Sequence, residues 1–195
     1  MLDFRKWYRA HGAVVGQYSP ATEMWNTGVA VPNLQGIQIA PMMENDEKNS
    51  YGSREHLLSV FVGLEVTLDF VGTHDPSVTE MTGFSSTSSG SGASETRRRR
   101  KQGGQNLPYF GLIVGIEAED EGDVHLIIPY VKLDSLLGLE VAAENQFVVP
   151  NVTAKAARLR LADNTLLDLY NELEHATLTA PATDLDTAFA DLQIA

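Results

Sequence analysis

Hydrophobic and polar positions alternate most clearly between residues 58 and 70. Leu58, Val60, Val62, Leu64, Val66, Leu68 and Phe70 fill the even positions, and Ser59, Phe61, Gly63, Glu65, Thr67 and Asp69 the odd ones. Strand side chains point alternately to opposite faces, so this pattern predicts a strand whose even face is buried. At about 3.3 Å per residue it spans roughly 45 Å, well beyond the usual strand. Such a strand bends around a sandwich or belongs to a large sheet. Residues 36–40 alternate too and predict a strand, whereas the polar stretch 42–55 predicts a loop. Apolar runs at 108–116 and 124–133 flank the acidic, Gly-containing segment 117–123, and predict a β-hairpin. Residues 141–149 and 152–161 predict two further strands.

Helical signals are few. Asp75-Pro76 opens a short helix: Asp accepts orphan amide protons, and Pro at the first position loses nothing. Val78 and Met81 share its inner face, and Gly83 ends it in a left-handed conformation. Leu166, Leu167, Leu169, Tyr170 and Leu173 have helical spacing, predicting an amphipathic helix begun near Asp163 or Asn164. Another turn or two begins at Asp184, with Leu185, Ala188, Phe189 and Leu192 on one face. Residues 1–35 show scattered aromatics and weak periodicity. They read as an extended arm that packs on its own domain or a neighbour, ordered mainly in an assembly. The Ser/Gly-rich and then basic stretch 85–106 reads as a flexible loop. The predicted organisation is an N-terminal arm (1–35), a mainly β domain (36–160) and an acidic helical tail (161–195). The β domain is an antiparallel β-sandwich with one short packed helix.

Charge sharpens this picture. The 195 residues are 43% hydrophobic, enough for one domain with a core, and carry a net charge of −12. A general nucleic-acid binder has the opposite sign. Five of the 14 basic residues form one run, Arg97, Arg98, Arg99, Arg100 and Lys101, leaving nine against 26 acids elsewhere, a balance of −17. That run is either a solvated loop or a contact with an acidic surface on another copy of the chain. No apolar run approaches the roughly 20 residues of a membrane helix, and residues 1–6 lack the apolar segment of a secretory signal. The absence of Cys excludes disulfides, thiolate metal sites and Cys nucleophiles.

The five histidines, at 11, 56, 74, 125 and 175, include no pair three to five residues apart. The common local zinc spacing is therefore absent, and only clustering in space would make a site. Segment 117–123 lacks the register of a calcium loop and reads as a charged hairpin tip. There is no G-x-S-x-G, phosphate loop or G-x-G-x-x-G. The expectation is a non-enzyme with no catalytic, cofactor-binding or metal-binding residues.

Residues 107–158 have a familiar order: Pro108-Tyr109-Phe110-Gly111-Leu112, an acidic turn, His125-Leu126, then Tyr130-Val131-Lys132-Leu133. Phe147, Pro150 and Ala154-Lys155-Ala156 follow. With Gly63-Leu64-Glu65-Val66-Thr67-Leu68 and Asp75-Pro76-Ser77-Val78 upstream, the stretch from 36 to 160 resembles the major tail tube proteins of long-tailed bacteriophages. The resemblance implies a β-sandwich with one packed helix, in hexameric rings that stack into a tube. Inner strands of the six copies would close a barrel around an acidic lumen that conducts DNA during ejection without binding it specifically. It also implies partners: further copies of the chain, and tape measure, tail terminator and distal tail proteins. The location would be the virion tail, reached from the host cytoplasm, without a membrane anchor. Glu65, Thr67 and Asp69, on the polar face of the long strand, are the lumen-facing candidates. The Arg-rich run and the acidic tail depart from the family pattern.

Two other readings compete. One is a carbohydrate- or host-binding β-sandwich module of a phage tail or capsid, with Trp7, Tyr8, Trp25 and Tyr51 as a sugar platform. The other is an acidic hydrolase, although nothing marks out two of its carboxylates.

Overall fold

A computed structural model describes residues 7–32, 34–50, 53–70, 75–100, 106–119, 122–134, 151–190 and 192–194. In chain order the strands are β1 (Trp7–Ser19), β2 (Met24–Trp25), β3 (Val29–Ala30), β4 (Leu34–Ser50) and β5 (Ser53–Phe70). Helix α1 (Asp75–Thr82) precedes β6 (Ser86–Ser89), β7 (Thr96–Arg99), β8 (Tyr109–Ala118), β9 (Asp123–Leu133) and β10 (Asn151–Ala156). The chain ends with β11 (Leu166–Leu167), β12 (Asn171–His175), α2 (Leu185–Ala190) and β13 (Gln193–Ile194). The expected strand at 141–149, Lys101 and Tyr51 lie outside the described residues.

Among the described residues, nine strands form one antiparallel sheet, ordered β2-β1-β8-β9-β10-β5-β4, with β3 beside β1 and β12 beside β9. Strand β9 changes neighbour midway along one edge. Residues 123–127 pair with β12, and residues 131–133 pair with β10. The sheet curls until β1 and β4 touch, but it is not closed into a barrel. Its inner face holds the larger core, with Val15, Leu112, Ile128, Val66, Leu68 and Val152, and α1 plugs it with Val78 and Met81. Gly83, at φ 67°, ends α1 in the left-handed region as its sequence suggests.

The outer face is divided. Over β1, β8 and β9 it is apolar, with Val14, Ile113 and Ile127 buried under Leu159, Leu167, Leu185, Phe189 and Leu192 of the C-terminal segment. Over β10, β5 and β4 it is polar. Glu65 is exposed, Thr67 and Asp69 are half-buried, and Lys155 stands directly opposite Glu65.

Three expectations need correction. Residues 163–173 form no helix, and among the described residues of the tail α2 alone is helical. Asp163 Oδ1 accepts the Thr165 amide at 2.8 Å, and Asn164 is left-handed at φ 71°. The two residues read as a helix start therefore make a turn, which leads into β11 and β12. Residues 42–50 and 53–55 are strand, not loop. The two stretches pair with each other as a ribbon, and their mostly polar sequence leaves no alternation to detect. Of the two supports expected for the arm, its own domain supplies one, where β1 pairs with β8 along Trp7–Gln17. Part of 85–106 is a hairpin, Ser86–Ser89 against Thr96–Arg99.

The alternation of β5 holds only in part. Leu64, Val66 and Leu68 are buried, but Val60 and Val62 are each 45% exposed. Val66→Asp should therefore cost at least about 3 kcal/mol by burying an unpaired charge. Val62→Asp should stay within about 0.5 kcal/mol. Urea unfolding of the two variants checks this, and equal losses would contradict the placement.

The start of α2 gives a pH-dependent expectation. Asp184 accepts the Thr187 hydroxyl at 2.7 Å and the Thr187 amide at 3.3 Å, and these bonds hold its carboxyl below the ordinary value. A depressed folded pKa means the contribution is present above the unfolded value, about 3.9, and lost as pH falls through the folded one. Protection of the Thr187 amide against hydrogen exchange should fall across that acid window. In Asp184→Ala it should be low at every pH.

Candidate functional site

Two features stand apart from the core. The first is the outer part of the β4–β5 hairpin. Strand β10 pairs with β5 only as far as Leu64, opposite Ala156. Beyond it, from Met42↔Gly63 to Ser50↔Ser53, the two strands pair only with each other among the described residues. At about 3.3 Å per residue this ribbon reaches roughly 30 Å. A two-stranded ribbon is marginal by itself in water, yet its root exposes Met43, Val60, Phe61 and Val62 by 43–48%. Val60 and Val62 lie on one face and Phe61 on the other, so both faces are apolar there. Beside the root, Phe61, Leu64, Leu126 and Tyr170 line a groove of about 410 Å³.

The sequence-predicted residues fall on two surfaces. Glu65, Thr67 and Asp69 share the polar outer face, as their odd spacing requires. That face is not uniformly acidic, because Lys155 pairs in register with both Glu65 and Lys132. Lys155 also meets Asp134 at 3.0 Å. The backbones of Arg97, Arg98 and Arg99 lie in β7, opposite a strand of serines and threonine, and Arg98 and Arg100 are exposed. The hairpin presents basic side chains in place of the expected formless loop. The proposed sugar platform loses Trp25. Its ring packs 4.9 Å from Tyr18 and 4.7 Å from Phe189, and its Nε1 donates to the Pro129 carbonyl at 2.9 Å.

The second feature was not foreseen. Register places three histidines around one carboxylate on the outer face. Asp123 and His125 are on β9, and His175 on β12 stands opposite Asp123. His11 is the extra residue of a bulge in β1, between Ala10↔Ile116 and Gly12↔Gly115. Its ring lies over Gly115, where a Cβ would come within 2.4 Å of Nε2. Asp123 Oδ2 stands 3.1 Å from His11 Nε2 and 3.1 Å from His125 Nε2, and accepts the Thr179 amide at 2.8 Å. Burial alone would raise the Asp123 carboxyl. The Thr179 amide, His125, His11 and His175 outweigh it and hold the carboxyl below its ordinary value.

The hydrogen bonds assign the His125 proton. A carbonyl only accepts, so Nε2, 3.0 Å from the Thr179 carbonyl, carries the hydrogen. Nδ1 then accepts from His175 Nε2 at 3.3 Å. Next to this cluster, His125, His175, Thr179, Ile113 and Leu192 line a cleft of about 320 Å³. The groups can exchange protons or ligate an ion.

No protein-family model matches the chain, and neither does any curated protein.

Proposed function

We propose that the chain is a structural subunit that assembles with copies of itself, in the manner of the phage tail tube proteins it resembles. The observation that carries this reading is the β4–β5 ribbon, an apolar-rooted extension with no third strand among the described residues. A subunit that ended there would leave an aggregation-prone ribbon in water; a subunit that inserts it into a neighbour buries it. The open sheet supports the same reading. Strand β4 ends the strand order and is 17 residues long. Natural proteins seldom leave so long an edge unpaired, and closing a barrel between copies removes it. In a stacked hexameric tube the Glu65, Thr67 and Asp69 face would line the lumen. Its lysines and acids together give DNA a wetted wall without a continuous basic track. The family's accessory partners and its place in the virion tail belong to the same proposal.

Negative-stain microscopy of the purified chain should show hollow tubes or six-fold rings. Changing Val60, Phe61 and Val62 together to Ser should abolish them. The unfolding midpoint should hardly move, because these side chains are already exposed. Tubes of normal length from that variant would overturn the role of the ribbon. Discrete small oligomers from the parent would favour the host-binding module instead.

The basic hairpin yields a second expectation. Copies bearing a balance of −17 outside the run repel one another, and the run offsets this locally. Exposed ion pairs contribute only about 0.2–1 kcal/mol each and weaken with salt. Replacing residues 97–101 with Ser should slow tube formation at low ionic strength, with the gap closing as salt rises. Light scattering reads this directly, and identical kinetics at every salt concentration would leave the run a solvated hairpin.

A further inference from the structure

We infer that His11, Asp123 and His125 form a binding site for a divalent transition-metal ion of the zinc class, which ties the first strand of the sheet to its centre. The inference is independent of the assembly reading. The donor atoms of the three residues lie within 4.8 Å of one another. Two donors held about 2.05 Å from one ion stand roughly 2.9 Å apart in octahedral and roughly 3.3 Å apart in tetrahedral coordination. The two histidine-to-carboxylate distances, each 3.1 Å, fall between these values. Two imidazoles and one carboxylate suit zinc and its first-row neighbours better than magnesium or calcium, which favour all-oxygen sites.

A second observation points to a ligand. Asp123 is fully buried, and its Oδ1 has no hydrogen-bond partner among the described residues. A buried carboxylate oxygen left unsatisfied is costly, and an ion held by both oxygens of Asp123 would remove the cost. The surroundings are built to orient the donors. The β1 bulge turns His11 onto the outer face, and Gly115 leaves room for its ring. The Thr179 amide fixes Asp123 at 2.8 Å. His175 contacts the far nitrogen of His125 at 3.3 Å, the position that outer partners occupy behind ligating histidines. The Thr179 carbonyl, 3.0 Å from His125 Nε2, is a further neutral oxygen beside the donors.

Ligation has a definite consequence for His125. Without metal, its Nε2 carries the hydrogen. As a ligand Nε2 must give up that hydrogen, so neutral His125 then carries it on Nδ1 and donates to His175. Binding therefore reverses the tautomer and the direction of the His125–His175 hydrogen bond.

The test uses the untagged full chain, stripped with chelator and titrated with zinc chloride by calorimetry. One ion per chain should bind, and the melting temperature should rise by several degrees. His11→Gln should weaken binding at least tenfold. Gly115→Ala should do the same although it removes no donor, because its Cβ displaces the His11 ring. His56→Gln with His74→Gln should leave affinity unchanged. Long-range proton–nitrogen spectra should show His125 changing from Nε2–H to Nδ1–H as zinc is added. No one-to-one binding, binding unaffected by His11→Gln, or binding lost with His56 and His74 would each overturn the site. The last outcome would assign the ion to His56 and His74 instead. Should His11→Gln fail to fold, Gly115→Ala and the His125 spectrum still decide.

Discussion

Strands β1, β8 and β9 are apolar on both faces, and most of the architecture answers to that. Antiparallel sheets commonly leave one face to water, but here Val14, Ile113 and Ile127 back onto Val15, Leu112 and Ile128. The second face needs a cover, and residues 159–192 supply it. Leu167, Leu185, Phe189 and Leu192 are all nearly inaccessible to solvent. Burying each such side chain contributes about 1.5–3 kcal/mol, so the acidic tail is part of the fold and not an appendage. Where the cover stops, the outer face turns polar, at Lys132, Lys155, Glu65, Thr67 and Asp69. The surface pattern follows from the reach of the C-terminal segment.

The same constraint explains what could be read from the sequence. α1 was legible because its start, inner face and end are decided within nine residues, Asp75 to Gly83. The β8–β9 hairpin was legible because its turn and its two apolar runs are contiguous. Strand β1 was not, since a strand buried on both faces has no period: Ala13, Val14 and Val15 are consecutive and all buried. The Asp163-Asn164 pair misled because one short-range chemistry serves both a helix cap and a turn. The choice between them is made by distant partners, Ile194 opposite Leu166 and Gln193 opposite Leu167.

The histidine cluster was illegible for a topological reason. His11 and Asp123 are 112 positions apart, and they meet only because β1 is two strands from β9 in the sheet. Even the strand order would not suffice, because without the bulge the pleat would assign His11 by simple alternation. Two signals were present in the sequence. Gly115 is a residue without a side chain in the middle of an apolar strand, which marks a close approach. Asp123 resembled one more acid of a charged tip, yet it is wholly buried. A carboxylate there requires compensating groups, and histidines are the ones the register provides.

Strand β5 carries two tasks on one unbroken alternation, and the change occurs where β10 ends. Up to Leu64 the even side chains have an intrachain reason to be apolar, since they face the core. At Val62 and Val60 that reason is gone, but the apolar residues continue, and Phe61 adds one on the opposite face. A ribbon that merely lay on a flat neighbour would need one apolar face. One that is apolar on both faces at its root, and polar toward its end, fits a slot with two walls. The curled sheet leaves a groove at that root, lined by Leu126 and Tyr170. Under the assembly proposed above, the ribbon's apolar faces find an enclosing partner, and the continuous alternation in β5 then serves burial within the chain in one half and burial between chains in the other.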